Sequence, residues 1–89
     1  MKNKLTIGVL IEEDKLYKEE YPVNQKIQVI VNKTCEHLGI TPEGRELKRE
    51  DGTVIQDFKQ TIEDVGLYDG ENLRFFKKAP KPDRDKGFA

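Results

Sequence analysis

Cys35 and His37 are the residues with the greatest capacity for nucleophilic or metal chemistry, and each is the only one of its type in the 89-residue chain. One thiol and one imidazole, two positions apart on a predicted helix, cannot build a closed zinc site. Cys35 falls on or near the apolar helix face, which predicts a buried small residue. His37 falls near the helix C-terminus, where a cation is favoured. It is either a surface residue there or a pH-sensitive contact.

No other pattern in the chain is typical of an active site. The sequence has no phosphate-binding loop, nucleophile elbow or glycine-rich cofactor fingerprint, and its carboxylates fall in predicted turns and on polar faces. We therefore predict that the protein is not an enzyme, and that it has no catalytic residue, metal or cofactor.

The charge of the chain is unevenly distributed. Residues 1–76 carry 11 Lys/Arg and 15 Asp/Glu, a net charge of −4, whereas residues 77–89 carry 5 Lys/Arg and 2 Asp, a net charge of +3. The acidic body argues against nucleic-acid binding. The basic tail is either a solvated terminus or a segment that reaches an acidic partner.

Length and composition predict one small domain without a membrane segment. The chain is too short for two domains. It shows no signal-peptide cleavage pattern and no run of about 20 apolar residues. A single cysteine excludes an internal disulfide, which fits a reducing compartment, so we expect a cytoplasmic location.

Two strands are predicted at the start of the chain. Alternation over residues 4–11 predicts a first strand with one apolar side, formed by Leu5, Ile7, Val9 and Ile11. Residues 16–21 predict a second strand that returns as a hairpin. Glu19 breaks its alternation, which is typical of an edge strand, and Pro22 ends it because proline has no N–H for the ladder.

A helix is predicted over residues 25–38. Asn24 is its predicted N-cap and Gly39 its C-terminal stop. Apolar spacing of three and four residues indicates one buried face. That face comprises Ile27, Ile30, Val31, Thr34, Cys35 and Leu38.

The second half of the chain predicts three further strands and one helical turn. A short strand over residues 46–49, with Leu47 inward, is followed by an Asp-Gly turn and a return strand that begins at Val54. Thr61 is expected to cap a helical turn within residues 61–67. Residues 72–78 predict the last strand. Its inward residues are Leu73 and Phe75, and its outward residues are Arg74 and Phe76.

The predicted order is β-β-α-β-β-(turn)-β, an α+β arrangement in which a helix crosses a mixed sheet and the last strand lies beside the first. The expected domain is residues 1–78. Residues 79–89 contain two prolines and alternating charge, and we expect them to form a flexible tail.

The order and spacing of these features resemble ubiquitin and its relatives over about residues 4–78. Residues 39–42 (Gly-Ile-Thr-Pro) are similar to ubiquitin's Gly-Ile-Pro-Pro, and residues 61–67 (Thr-Ile-Glu-Asp-Val-Gly-Leu) to its Thr-Leu-Ser-Asp-Tyr-Asn-Ile turn. The positions that match the ubiquitin core are Ile27, Ile30, Thr34, Leu47, Leu73 and Phe75. The resemblance implies a ubiquitin-like β-grasp fold.

Ubiquitin-like modifiers end in a glycine that an E1-like enzyme activates for an isopeptide bond. The resemblance implies this role for Gly87, with Phe88 and Ala89 as a peptide that is removed first. Glycine suits the role because it lacks a Cβ and presents an unhindered carbonyl. The chain lacks a Gly-Gly pair and has Lys81-Pro82 where the ubiquitin tail would end. It most resembles bacterial modifiers encoded with E1-like, E2-like and JAB-peptidase partners. Alternatively, Gly87 is an ordinary tail residue.

Ubiquitin binds partners through an apolar patch on the sheet face away from the helix. The matching outward positions here are Lys48, Arg74 and Phe76, with Gly8 and Leu10 nearby. A protein that recognises the ubiquitin patch would meet two positive charges, which disfavours it. We predict a dedicated partner with an acidic rim and a pocket for an aromatic ring. The alternative is that Lys48 and Arg74 are solvated strand residues.

The resemblance implies four kinds of partner: an E1-like activating enzyme, an E2-like conjugating enzyme, a JAB- or deubiquitinase-type peptidase, and a target protein. We expect a monomer when free, with no nucleic-acid or membrane partner. Two other functions stay open. A non-covalent adaptor or secretion-accessory module would not need residues 79–89, and a sulfur carrier is disfavoured by the missing Gly-Gly pair.

Overall fold

The computed structural model describes residues 3–78. Four strands and two helices lie in this range. In chain order they are β1 (Lys4–Glu12), β2 (Lys15–Pro22), α1 (Ile27–Leu38), β3 (Arg45–Lys48), α2 (Ile62–Val65) and β4 (Asn72–Lys77).

The strands form one mixed sheet in the order β2-β1-β4-β3. β1 pairs antiparallel with β2 and parallel with β4, and β3 pairs antiparallel with β4. The last strand therefore lies beside the first, as predicted. β2 lies at an edge of the sheet, which is also as predicted from its interrupted alternation.

The core lies between the sheet and α1. One side of β1 and one side of β4 pack against the apolar face of α1. Side chains alternate between the two sides of a strand and repeat every 3.6 residues on a helix, so each element has one apolar side and the two layers bury these sides together. The buried apolar residues are Ile7, Val9, Ile11, Tyr21, Ile27, Ile30, Val31, Leu47, Ile55, Ile62, Leu67, Leu73 and Phe75. We call the sheet face opposite α1 the outer face.

The start of α1 differs from the prediction. The helix begins at Ile27, and Asn24 is not its cap; no side chain caps it at all. The Ile27 N–H donates to the Gln60 carbonyl at 2.9 Å, and the Gln28 N–H donates to the Phe58 carbonyl at 3.0 Å. These carbonyls satisfy first-turn amides that a cap would otherwise serve. The C-terminus matches the prediction, because Gly39 has the left-handed φ of 67°.

The predicted return strand is reduced to one bridge. Val54 pairs with Lys48 as an isolated bridge, and the Ile55 N–H donates to the Leu47 carbonyl at 2.8 Å. The chain then turns at Asp57, whose side chain accepts from the Lys59 N–H. Beyond this turn, the Phe58 and Gln60 carbonyls accept from the first turn of α1.

The helical turn α2 is capped as predicted. Thr61 accepts from the Asp64 N–H at 3.0 Å, and the Asp64 carboxylate accepts from the Thr61 N–H at 3.1 Å. This is a reciprocal capping box. Gly66 ends the helix with a φ of 84°. The local sequence was sufficient to predict the element because both capping partners lie within four residues.

A buried ion pair joins β3, α2 and β4. Arg49 donates through Nε and Nη2 to the Glu71 carboxylate, at 3.0 Å in both cases. It also donates to the Val65 carbonyl at 3.3 Å and to the Gly66 carbonyl at 3.2 Å. Glu71 is 1% exposed and also accepts from the Tyr68 N–H. The pair fixes the start of β4 and so the register of its outward residues.

Candidate partner-binding face

Lys48, Arg74 and Phe76 lie together on the outer face, as predicted. β4 alternates, so Arg74 and Phe76 are exposed while Phe75 is buried. Lys48 lies directly opposite Arg74 in the β3–β4 register, and Glu46 lies opposite Phe76. Phe76 keeps 36% of its surface exposed, which makes it one of the largest exposed apolar side chains among residues 3–78.

The charges on this face are only partly compensated. The Lys48 ammonium lies 3.7 Å from the Glu46 carboxylate. Arg74 forms no ion pair with any other residue between positions 3 and 78. Like charges directly opposite one another in a sheet are unfavourable. An incoming carboxylate would relieve that repulsion.

A shallow recess of about 220 Å³ opens beside these residues. It is lined by Glu46, Lys48, Arg74, Phe76, Lys77 and Lys78. Four cations and one carboxylate give it a positive potential, although residues 1–76 carry a net charge of −4. The recess suits an acidic group beside an aromatic contact.

The first strand places Leu10 beside this face, as expected, whereas Gly8 is covered. Leu10 lies beside Arg74 in the parallel β1–β4 register and is half-buried. Gly8 is buried, because the Asn72 side chain and Leu16 cover it. Gly8 is therefore not a contact residue of the face.

Sequence reasoning missed Leu16 and Tyr68. Leu16 is 41% exposed on β2 and pairs with Leu10 across the hairpin, while Tyr68 is 50% exposed in the loop before β4. The parity of Leu16 with its charged neighbours Lys18 and Glu20 was the available signal. Its pairing with Leu10 depends on the hairpin register, which the sequence pattern did not determine.

Cys35 and His37 are not brought together as a site. Cys35 is half-buried, and this burial raises the pKa of its thiol, opposed in part by the charge of Arg45. A protonated thiol is a poor nucleophile. The His37 ring stacks on the Tyr17 ring with centroids 4.4 Å apart, so it contacts β2 rather than serving only as a helix-end cation.

A polar cluster attaches the edge strand β2 to α1. Glu19 accepts from the Tyr17 hydroxyl and from the Lys33 ammonium, the latter at 2.5 Å. These bonds, that from Lys33 first, hold the pKa of Glu19 below its ordinary value. The bond to Glu19 is also the main cause that raises the pKa of Tyr17 to about 12. Glu19, the residue that breaks the alternation of β2, is thus satisfied by the helix.

The predicted processing residues Gly87, Phe88 and Ala89 lie outside the described residues. Between residues 3 and 78, no cluster of three or more His, Cys, Asp or Glu side chains has an arrangement that could hold a metal ion. Within the same range, neither helix has the length and apolar character needed to span a bilayer.

Several solved structures share this architecture. Ubiquitin from Caldiarchaeum subterraneum superposes with a TM-score of 0.72 at 16% identity, covering 89% of this chain and 99% of that one. The C-terminal ubiquitin-like domain of human 2'-5'-oligoadenylate synthetase-like protein gives 0.72 at 18% identity, with 93% of each chain covered. The ubiquitin-like domain of tubulin-binding cofactor B gives 0.69 at 16% identity, covering 86% of this chain and 92% of that one.

This chain has the ubiquitin-like β-grasp fold. The α+β prediction and the ubiquitin-like resemblance are confirmed at the level of the fold. No protein-family model and no curated protein sequence matches the chain. These structures include a ubiquitin as well as ubiquitin-like domains of other proteins, so the fold by itself does not decide the function.

Proposed function

We propose that this ubiquitin-like protein is a protein modifier of the bacterial type, conjugated to targets through its C-terminal segment. A JAB-type peptidase hydrolyses the bond after Gly87 and releases Phe-Ala, and an E1-like enzyme uses ATP to adenylate the new carboxylate, releasing pyrophosphate. A thiol of the E1-like and then of the E2-like enzyme displaces AMP to hold the carbonyl as a thioester, and a target amine displaces that thiol to form an isopeptide bond. The supporting observation is the fold itself. β4 is the last element of residues 3–78, and in sequence the segment that holds Gly87 follows it.

The outer face has the role of enzyme and partner docking in this proposal. Phe76 offers the aromatic contact, and Lys48 and Arg74 offer positive charge to an acidic rim. The protein itself performs no catalysis, acts as a monomer when free, and works in the cytoplasm. The single cysteine, which cannot form an internal disulfide, supports this location.

The conjugation proposal is tested by the intact mass of the protein isolated from its own cells. We expect a species that lacks Phe88 and Ala89, and heavier adducts joined through Gly87. A Gly87→Val variant should lose the adducts because its branched side chain blocks the channel that a glycine passes. Ala79→Val is the matched control and should keep them. Adducts that persist in Gly87→Val would contradict the assignment.

A non-covalent adaptor is the second candidate, and the outer face favours it. Arg74 has no ion-pair partner among residues 3–78 and lies on the same face as the exposed Phe76, an arrangement suited to binding without any conjugation step. In that case a chain shortened to residues 1–78 would retain every partner that co-purifies with the full chain. Loss of those partners on shortening would favour the modifier.

A further inference from the structure

Val54, which follows β3 and bridges back to Lys48, forms the edge of the sheet on the β3 side. Two hydrogen bonds flank this bridge, and their donors are the N–H groups of Arg49 and Ile55, each at 2.8 Å from a carbonyl of the facing segment. In an antiparallel pair that is flanked in this way, the N–H and C=O of the two bridged residues point away from each other. Val54 therefore directs its own N–H and C=O away from β3.

Both backbone groups of Val54 are available for a further strand. Neither has a hydrogen-bond partner among residues 3–78. A residue that presents a donor and an acceptor on one side can exchange two bonds with a single residue of an antiparallel segment. The chain turns at Asp57, three residues later, so this edge has room for a short segment only.

A recess of about 220 Å³ lies beside this edge. Its lining includes residues 53–56 together with Asp64 and Val65 of α2. Val65 is half-buried and Asp64 is exposed, so the recess offers one apolar contact and one carboxylate to the side chains of an added segment. We call Val54, Asp64 and Val65 the Val54 edge site.

The charge around the Val54 edge site is negative. Residues 50–64 carry five carboxylates and one lysine, a net charge of 1 − 5 = −4. Arg49 also lines the recess, but the buried Glu71 carboxylate engages its charge. Complementary charge guides and orients a partner, and this surface repels a polyanion such as a nucleic acid. The complementary partner is a basic segment of a protein.

We propose that the Val54 edge site binds an extended basic segment of a partner protein, which adds one short antiparallel strand to the sheet. One residue of the segment exchanges two backbone hydrogen bonds with Val54, and the basic side chains on either side of it pair with the surrounding carboxylates, Asp64 first. The Val54 edge lies at the opposite end of the sheet from β2 and is separate from the outer face. The binding requires no conjugation step.

The test uses a short peptide, capped at both ends, that alternates Lys and Val. It is titrated to about 1 mM into the full ¹⁵N-labelled chain, because so small an interface binds weakly. We expect the amides around Val54 to shift and hydrogen exchange of the Val54 N–H to slow on binding. A peptide methylated on the nitrogen of its central Val, which cannot donate to the Val54 carbonyl, should bind about fivefold more weakly. A peptide with Glu in place of Lys should bind about tenfold more weakly.

Two variants of the chain test the same contacts from the other side. Val54→Pro removes the N–H that the peptide carbonyl would accept, and should weaken binding about fivefold. Val54→Ile keeps that N–H and should bind as the parent does. Asp64→Asn removes one charge but keeps a capping oxygen, and should weaken binding about threefold. Its matched control is Glu36→Gln on the exposed side of α1, which should have no effect.

Equal binding of the methylated peptide, shifts that map to β2 or to the outer face, or no binding at about 1 mM would overturn the proposal. Slow exchange of the Val54 N–H in the free full chain would overturn it too, because the chain itself would then occupy the edge. The methylated peptide gives this answer even if Val54→Pro does not fold. The masses of the Gly87→Val variant report on conjugation alone, so the two proposals can fail separately.

Discussion

At the scale of single residues, Arg49 joins more parts of the fold than its place at the end of a short strand suggests. Its side chain is 22% exposed and its partner Glu71 is 1% exposed. The bonds to Glu71 raise the pKa of Arg49 and keep it charged. Buried carboxylates are tolerated only when they are paired and hydrogen-bonded. If Arg49 is removed, the destabilisation therefore arises from the Glu71 charge, which stays buried.

Arg49→Met is therefore expected to lower the free energy of unfolding by about 3 kcal/mol, because it leaves the Glu71 charge buried without a partner. Urea denaturation at neutral pH measures this. The control Lys48→Met, at an exposed ion pair, should change stability by less than about 1 kcal/mol. Adding Glu71→Met to Arg49→Met should recover part of the lost free energy of unfolding, because the buried charge is then removed. A double variant that is less stable than Arg49→Met alone would contradict this explanation.

Gly8 is required at its position because the Asn72 side chain lies directly over it. A Cβ at this position would overlap Asn72 Oδ1, an atom that is itself buried and has no hydrogen-bond partner among the described residues. Gly8→Ala is expected to cost about 1–2 kcal/mol through this overlap. When Asn72→Ala is also present, Gly8→Ala should lower the free energy of unfolding by much less. A double-mutant cycle by urea denaturation checks the coupling, and additive effects would exclude the contact as the cause.

At the scale of elements, the attachment of β2 to α1 should depend on pH. In the unfolded chain Glu19 titrates near 4.5, and in the folded chain its pKa is lower because Lys33 and Tyr17 donate to it. A lowered folded pKa means that the stabilisation is present above the unfolded pKa and is lost as the pH falls through the folded value.

Glu19→Gln should therefore cost about 1 kcal/mol at pH 7, and this difference from the parent should shrink as the pH falls below about 4. Thermal unfolding from neutral pH downward measures it. Glu20→Gln, the neighbouring outward carboxylate on β2, is the matched control and should show no such dependence. A Glu19→Gln effect that is constant with pH would mean that the charge is not the cause.

Local sequence patterns were sufficient to predict the boundaries of some elements but not of others. α2 matched its prediction because Thr61 and Asp64 serve each other within one turn. The start of α1 did not, because its first amides donate to the carbonyls of Phe58 and Gln60, thirty or more residues further along the chain. The predicted return strand that begins at Val54 is reduced to one bridge, and the chain turns at Asp57.

At the scale of the whole molecule, the predicted boundary between residues 1–78 and residues 79–89 has a direct test. The Lys78 N–H donates to the Gly44 carbonyl at 2.8 Å, so a chain that ends at Lys78 keeps this bond. We expect the shortened chain to have the free energy of unfolding of the full chain within about 0.5 kcal/mol. A larger loss in urea denaturation would show that residues 79–89 contribute to the fold.

The sequence by itself determined which side of each principal element is buried. Period-two alternation predicted the inward residues of β1 and β4, and spacing of three and four predicted the buried face of α1, because burial follows the intrinsic geometry of strand and helix. It also placed Lys48, Arg74 and Phe76 on one face. The tertiary structure alone decided the strand registers, which place Leu10 beside Arg74 and Lys48 opposite Arg74. Register depends on contacts between distant segments, which local periodicity does not contain.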